Sequence, residues 1–210
     1  IEGHDLFRST LDRLSRLARA HRIKLTLGRD GSPATARASR VQIAEKTIQY
    51  PRFQVHGRHL VDTFLLAHFY DIATRELAGF EWEDVAEHFG LADRPAVVGI
   101  GAVSELLSPS YFIQAQIFPY NYQDVIVRGN ATKIDALLLR EYYHQRQALP
   151  TFEEARFFAG GYTDLFHEGL VRNIWHADVQ SLYPSLILAY QIKPRRDTLN
   201  LFVSLLDDLR

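Results

Sequence analysis

The residues best suited to chemistry lie in one short stretch, residues 176–185, which reads His-Ala-Asp-Val-Gln-Ser-Leu-Tyr-Pro-Ser. Asp178 comes at the end of a run, residues 165–179, that we predict to be a β-strand, and a helix is predicted over residues 185–191. A carboxylate at a strand end, with the Val179 carbonyl beside it, offers the hard oxygen ligands that Mg²⁺ prefers. The pattern therefore favours metal-assisted chemistry on phosphate groups.

A tyrosine five residues after this carboxylate adds a second chemical function. Tyr183 is restricted by the following Pro184, and an aromatic ring fixed at that point is suited to pack beneath a sugar and exclude a 2′-hydroxyl. An isolated aspartate before a turn and a helix is explained equally well as a solvated surface residue. The prediction of a metal site therefore depends on the whole string and not on Asp178 alone.

The whole string resembles the first polymerase motif of the family-B DNA polymerases, Asp-x-x-Ser-Leu-Tyr-Pro-Ser, and every specified position matches. The resemblance implies a DNA-directed DNA polymerase that adds deoxynucleotides to a primer 3′-hydroxyl with two Mg²⁺ ions. It also implies the roles of individual residues. These are metal binding by Asp178 and the backbone carbonyl of Val179, triphosphate binding through the backbone of Ser181 and Leu182, and sugar selection by Tyr183.

A glycine pair upstream resembles another element of the same family. The run Phe-Ala-Gly-Gly-Tyr at residues 158–162 is similar to the segment between the exonuclease and polymerase domains, although Phe158 stands where the family usually has Tyr. In the family this element contacts the DNA backbone, and glycine permits such a close approach. The resemblance implies DNA binding by Gly160, Gly161 and Tyr162. Alone, a glycine pair is typical of an ordinary turn.

By the same resemblance, the first half of the chain corresponds to a 3′–5′ exonuclease domain whose metal ligands are altered. The second exonuclease motif, Asn-x-x-x-Phe-Asp, falls on residues 5–10, with Asp5 in place of the Asn and Thr10 in place of the metal-binding Asp. A neutral hydroxyl is a poor ligand for Mg²⁺. The third motif, Tyr-x-x-x-Asp, has no tyrosine available, and Phe89 before Asp93 is better explained as core. We expect little or no nuclease activity.

The elements that must position these groups follow from hydrophobic periodicity and capping residues. A first helix is predicted after Asp5, with an apolar stripe of Leu6, Phe7, Leu11, Leu14 and Leu17. The other predicted elements are a turn at residues 28–33, strands over residues 41–50 and 53–61, a helix capped by Asp62, helices over residues 81–89 and 103–107, an irregular aromatic segment over residues 111–129, and a long helix from Asn130.

This mixture predicts an α/β (α+β) protein. The resemblance implies the later part of an RNase H-like exonuclease domain over residues 1–105, an inter-domain connection over residues 106–165, and the start of a polymerase palm over residues 166–210. The chain begins at Ile1 and contains no Met, which favours an excerpt of a longer protein. It ends before the family's second palm carboxylate. We therefore expect the chain by itself to be inactive.

Composition limits the partners. The chain has no Cys, no apolar run long enough to cross a bilayer and no signal peptide, so we expect a cytoplasmic protein without a membrane partner. The resemblance to DNA polymerases implies association with the nucleoid. The net charge is −1, but residues 8–40 contain nine Arg or Lys against Asp12 and Asp30. Such a stretch either neutralises phosphates or is a solvated helix face.

The resemblance implies primer–template DNA and deoxynucleoside triphosphates as partners, with a processivity factor or another polymerase subunit beside them. The alternative is a truncated, non-catalytic relative that binds DNA or assists another subunit.

Overall fold

The structure is a computed structural model that describes residues 1–151 and 160–208. The chain divides into two compact units, Ile1–Ile134 and Asp135–Arg210, and the division falls inside the seventh helix. Helices and a small number of strands occur together, which confirms the α+β class. The RNase H-like arrangement stays a prediction, as do the domain limits.

The first unit begins with the short strand β1 and a wide π-helical segment that leads directly into helix α1. Its elements in order are β1 (Glu2–Gly3), the π-helical segment (Leu6–Leu11), α1 (Asp12–Ala20), β2 (Thr35–Ile43), β3 (Lys46–Gln54), β4 (Val61–Asp62), α2 (Thr63–Thr74), α3 (Trp82–His88), α4 (Ala96–Leu107), α5 (Pro109–Ile117), α6 (Tyr122–Val127) and α7 (Asn130–His144). Helix α7 continues into the second unit, which also contains α8 (Leu182–Tyr190) and α9 (Leu201–Asp208).

Strands β2 and β3 form an antiparallel hairpin that pairs along its full length, from Thr35 opposite Gln54 to Ile43 opposite Lys46. The chain reverses at Ala44 with a φ angle of 50°, as tight two-residue hairpin turns require. The predicted strands over residues 41–50 and 53–61 were therefore wrong. Pro51 lies inside β3 and is tolerated because both strands of a two-stranded sheet are edge strands.

The buried aspartate Asp62 joins two helical segments. Strand β4 pairs in parallel with β1 and places Asp62 opposite Gly3, just before the π-helical segment. One carboxylate oxygen of Asp62 accepts the N–H of Phe64 at 3.1 Å, which confirms its predicted role as the cap of α2. The other oxygen accepts the N–H of Phe7 at 3.2 Å. A single carboxylate therefore satisfies backbone donors at the start of both segments.

The predicted cap at Asp5 was wrong. The helical segment does begin after Asp5, but this residue has a φ angle of 49° and its side chain makes no capping hydrogen bond. Its carboxylate instead pairs with Arg8 Nε at 2.7 Å. Asp62, fifty-seven positions further along the chain, supplies the capping oxygen to this segment instead.

The predicted apolar stripe of the first helix is buried only in its first half. Leu6, Phe7 and Leu11 are buried, whereas Leu14 and Leu17 are 40% and 48% exposed. The N–H of Thr10 bonds to the carbonyl of Asp5, five residues back, so the first turn is wider than an α-helical turn. The additional residue rotates the later leucines away from the core.

The remaining helices of the first unit follow the sequence patterns in most respects. Helix α2 buries Leu65 and Leu66, and α3 buries Val85 and Ala86, as predicted. Helix α4 ends at Leu107, as predicted, but begins earlier, at Ala96. A Cβ at Gly99 would lie 2.7 Å from Trp82 Cζ2, so a larger residue there would displace the Trp82 ring or helix α4.

The segment over residues 111–129 is helical and not irregular, which corrects the prediction. Pro109 stands at the first position of α5, where its missing N–H costs nothing. The side chain of Asn121 caps α6 by accepting the N–H of Asp124 at 2.9 Å. Among the described helices none is by itself long and apolar enough to cross a bilayer, and only the pair α4 and α5, bent by 49°, passes that test jointly.

In the second unit the predicted strand over residues 165–179 was wrong, because this segment has no regular secondary structure. A strand needs a neighbour to receive its backbone hydrogen bonds, and the described part of this unit contains no strand to pair with it. Trp175 in this segment is 97% exposed. The helix predicted over residues 185–191 is present and begins earlier, at Leu182.

Asp62 gives the first unit a testable dependence on pH. Burial raises the pKa of Asp62 to about 6, although the backbone N–H groups of Phe7, Leu6 and Phe64 act to lower it. In an unfolded chain the pKa is about 3.9. The folded state therefore holds the proton more tightly, and stability decreases as the pH rises through this window.

We expect the free energy of unfolding of the wild type, relative to Asp62→Asn, to fall by about 2 to 4 kcal/mol between about pH 4 and pH 6 and to stay level above it. Urea titrations followed by circular dichroism measure this difference, with the exposed Asp93→Asn as the control. Parallel pH profiles for the wild type and Asp62→Asn would contradict the prediction.

Candidate functional site

The candidate site is the exposed turn that leads into helix α8. Asp178 lies in this turn, and its Oδ1 atom accepts the N–H of Val179 at 2.8 Å. Both residues are exposed, and Val179 is 59% exposed. The carboxylate and the neighbouring backbone are therefore accessible to a ligand from solvent, although no strand precedes them.

Ser181 turns the chain into the helix. It has a φ angle of 52°, in the left-handed region that is uncommon for residues with a side chain. Its carbonyl accepts the N–H of Ser185 at 2.9 Å, which closes the first turn of α8. Leu182 and Tyr183 on that turn are 43% and 72% exposed. Asp178 and Tyr183 are thus presented within one short exposed segment.

The start of α8 has no side-chain cap. The first backbone N–H groups of any helix lack partners within the helix, and together with the helix dipole they attract anions. Pro184 is the third residue of α8, so it contributes no donor there. The backbone N–H groups of Leu182 and Tyr183 are the donors that this end of the helix can offer.

The metal ligands at this turn form only a partial set. Asp178 and the Val179 carbonyl supply hard oxygen donors that fit Mg²⁺. Over residues 1–151 and 160–208, no three His, Asp or Glu side chains lie together in an arrangement suited to a metal ion. Further ligands at Asp178 would have to come from water or from substrate oxygens, as is usual for Mg²⁺.

The glycine pair lies in exposed chain without regular structure, and Phe158 and Ala159 before it lie outside the described residues. A Cβ at Gly160 or Gly161 would meet no atom within 4 Å, so packing does not explain either glycine. The hydroxyl of Tyr162 donates to Asp164 at 2.5 Å. This hydrogen bond lowers the pKa of Asp164 and raises that of Tyr162.

The residues at the degenerate exonuclease motif lie apart from this turn in sequence and are engaged locally. Asp5 pairs with Arg8, and Thr10 is exposed. Phe89 packs against the cluster that contains Val85 and Ala86, which agrees with its interpretation as core. Asp93 is exposed. The loss of nuclease activity stays a prediction.

Sequence reasoning missed the aspartate that organises the second unit. Asp197 is buried and accepts the N–H groups of Leu201 at 3.1 Å and Phe202 at 2.8 Å, at the start of α9. It also accepts the hydroxyl of Tyr142, on α7, at 3.0 Å. Burial acts to raise the pKa of Asp197, but these three donors together lower it. An Asp shortly before an apolar helical run was the available signal.

The chain is similar to curated DNA polymerases. It is 25% identical over 212 residues to the DNA polymerase of Archaeoglobus fulgidus, a match that covers 86% of the chain and 25% of that protein. It is 27% identical over 201 residues to the DNA polymerase of Thermococcus sp. (strain 9oN-7), covering 85% and 25%. A shorter match to that of Thermococcus gorgonarius is 33% identical over 84 residues, covering 37% and 11%.

No protein-family model matches the chain. The chain spans about a quarter of the length of the first of these relatives. The similarities support a DNA polymerase-like protein. Membership of family B and the roles of individual residues remain predictions.

The contact between Tyr142 and Asp197 predicts a measurable loss of stability. We expect Tyr142→Phe to lower the free energy of unfolding by about 0.5 to 1.5 kcal/mol, because Asp197 then keeps only its two backbone donors. The neighbouring Tyr143→Phe removes a hydroxyl from a residue that is 77% exposed and is the matched control. Urea denaturation measures both, and equal midpoints for the two variants would contradict the prediction.

Proposed function

We propose that the chain belongs to a DNA-directed DNA polymerase of family B, which adds deoxynucleotides to a primer 3′-hydroxyl on a DNA template. The observation that carries the proposal is the uninterrupted string from Asp178 to Ser185, within a chain that is similar over most of its length to DNA polymerases. The similarity extends far beyond that string, so the proposal does not rest on one motif.

Asp178 and the Val179 carbonyl are proposed to bind one of two Mg²⁺ ions. When bound, Mg²⁺ neutralises the triphosphate and polarises the phosphorus that is attacked. The accessibility of both groups supports this role. One aspartate does not hold two ions, so the complete site requires carboxylates beyond those described near this turn.

The triphosphate is proposed to bind at the start of α8. The backbone of Ser181 and the uncapped N–H groups of Leu182 and Tyr183 line the site for its oxygens, and the left-handed turn at Ser181 leads into that end of the helix a few residues after Asp178. When a helix N-terminus lies next to a metal-binding carboxylate, the backbone N–H groups and the metal ion can stabilise the same negatively charged triphosphate.

Tyr183 is proposed to contact the sugar of the incoming nucleotide. Its ring is largely exposed, so it can pack against a ligand without a rearrangement of the core. A ring in that position excludes a 2′-hydroxyl by steric contact and thereby favours deoxynucleotides. Gly160, Gly161 and Tyr162 are proposed to contact the DNA backbone, a role supported by the open space around both glycines.

The role of Asp178 is tested by primer extension with the full-length protein that contains these residues. We expect Asp178→Ala to lower the rate of nucleotide addition by roughly 10²- to 10³-fold or more, because charge stabilisation at the triphosphate is removed. Asp207→Ala removes an exposed carboxylate on α9 and should extend at the wild-type rate.

Two outcomes of this assay would contradict the proposal. Wild-type rates in Asp178→Ala would remove Asp178 from the metal site. A wild type that binds primer–template DNA without extending it would favour the non-catalytic accessory protein instead.

The altered exonuclease motif predicts that single-stranded primers stay intact. With Mg²⁺ present and nucleotides absent, we expect no shortening of a 5′-labelled primer on a denaturing gel, because Thr10 supplies no carboxylate. Shortening that Asp5→Ala abolishes, and that the exposed turn variant Asp30→Ala retains, would show that a nuclease site exists after all.

A further inference from the structure

Two arginines stand directly opposite each other in the β2–β3 hairpin. Arg37 on β2 pairs with Arg52 on β3, so both side chains belong to the same face of the sheet. Like charges at directly opposed positions destabilise a sheet. Arg52 is also 4% exposed, which removes most of the water that would otherwise screen the two charges.

A third arginine adds to this positive charge. Arg128 follows helix α6, and its backbone N–H donates to the carbonyl of Asp124 at 3.2 Å. Its guanidinium lies 5.5 Å from the ring centre of Tyr120. Burial lowers the pKa of Arg52, and the charges of Arg37 and Arg128 act in the same direction. Asp124 contacts Arg52 through its carboxylate and Arg128 through its backbone carbonyl, and strand pairing sets Arg37 opposite Arg52, so the three arginines form one cluster around these contacts.

The countercharge in this cluster is too small. The carboxylate of Asp124 forms an ion pair with Arg52. Three arginines with one paired aspartate leave two net positive charges in this cluster. The Nε atoms of Arg52 and Arg128 are both buried and have no hydrogen-bond acceptor within the described residues. Buried donors of this kind are rare in folded proteins, and they indicate a missing acceptor.

A cleft borders this cluster. It has a volume of about 650 Å³ and is lined by Asp124 and by the pair Thr35 and Gln54, among other residues. That pair lies two positions along the hairpin from Arg37 and Arg52, on the same face. None of the three arginines lines this cleft. Arg37 is exposed, however, so a small anion can reach the cluster from solvent at that residue.

We infer that Arg37, Arg52 and Arg128 form an anion site that takes a phosphate group. Guanidinium groups present planar pairs of donors that match phosphate oxygens. A phosphate monoester carries nearly two negative charges at neutral pH, which balances the excess of the cluster. The site lies in the first unit and does not rest on the polymerase proposal. A failure of primer extension would therefore not contradict the inference of an anion site.

The first experiment measures thermal unfolding of the full chain in inorganic phosphate and in chloride at equal ionic strength. We expect phosphate to raise the midpoint of the wild type in a saturable manner, because the ligand binds only the folded state. Arg37→Gln and Arg128→Gln should weaken the phosphate affinity by about tenfold or more. Arg94→Gln removes the same charge from an exposed position of the first unit and should bind phosphate as the wild type does.

The same titration distinguishes phosphate binding by Arg37 from a purely structural effect of this residue. If the effect is purely structural, loss of the repulsion between Arg37 and Arg52 makes Arg37→Gln more stable than the wild type, and its response to phosphate stays unchanged. Equal midpoints of the wild type in phosphate and chloride, or equal phosphate affinities for Arg37→Gln and Arg94→Gln, would overturn the inference.

The second experiment identifies the source of the phosphate group. A labelled single-stranded oligonucleotide is titrated at several salt concentrations. If the group belongs to a nucleic-acid backbone, Arg37→Gln reduces the slope of log affinity against log salt by about 0.7 for each backbone phosphate that is no longer neutralised. An unchanged slope, together with weakened phosphate binding in the first experiment, assigns the site to a small phosphate-bearing molecule.

Discussion

The first unit depends on one buried carboxylate. Asp62 accepts backbone N–H groups from Phe7 and Phe64, so the beginnings of two helical segments are held at a single point. The residue that follows, Thr63, donates its hydroxyl to the carbonyl of Gly3 and contacts His4 at 3.0 Å. Strand β1, the π-helical segment and helix α2 therefore meet around these two side chains. Desolvation of the carboxylate is costly, and the backbone donors offset part of that cost.

The core is organised around this junction. Leu6, Phe7, Phe64 and Leu65 lie on the segments that Asp62 joins, and they belong to the same buried cluster as the hairpin residues Val41 and Tyr50. Asp62 accepts the first backbone donors of both segments, so it helps to fix where each segment begins. A displaced Asp62 would therefore move the apolar faces of the π-helical segment and of α2 out of this cluster. The second unit uses the same solution on a smaller scale, where Asp197 caps α9 and accepts the hydroxyl of Tyr142.

Sequence patterns succeeded where the determinants are local. Helix α2 with its cap, helix α3 and helix α7 each follow from periodicity and a starting residue within a few positions. The hairpin register did not, because the two-residue turn that fixes it consists of Ala44 and Glu45, without the Gly, Asn or Asp that usually marks such a turn. The ion pair of Arg52 with Asp124 joins residues that lie far apart in sequence, so no local pattern predicts it. The segment over residues 165–179 failed for a related reason, since strand propensity without a pairing partner forms no strand.

The basic stretch at residues 8–40 shows why a charge count does not identify a binding site. Arg16 on α1 pairs with Asp12 at 3.0 Å, and its side chain is 70% exposed. Its charge is therefore stabilised by water and by a nearby carboxylate, and no ligand is needed. Arg37 carries the same charge, but strand pairing sets it opposite the buried Arg52. The sequence shows that Asp12 precedes Arg16 by one helical turn, but nothing in it sets Arg37 opposite Arg52. Burial of a neighbour removes the water that screens surface charges, and only the folded chain shows that Arg37 lies opposite a buried arginine.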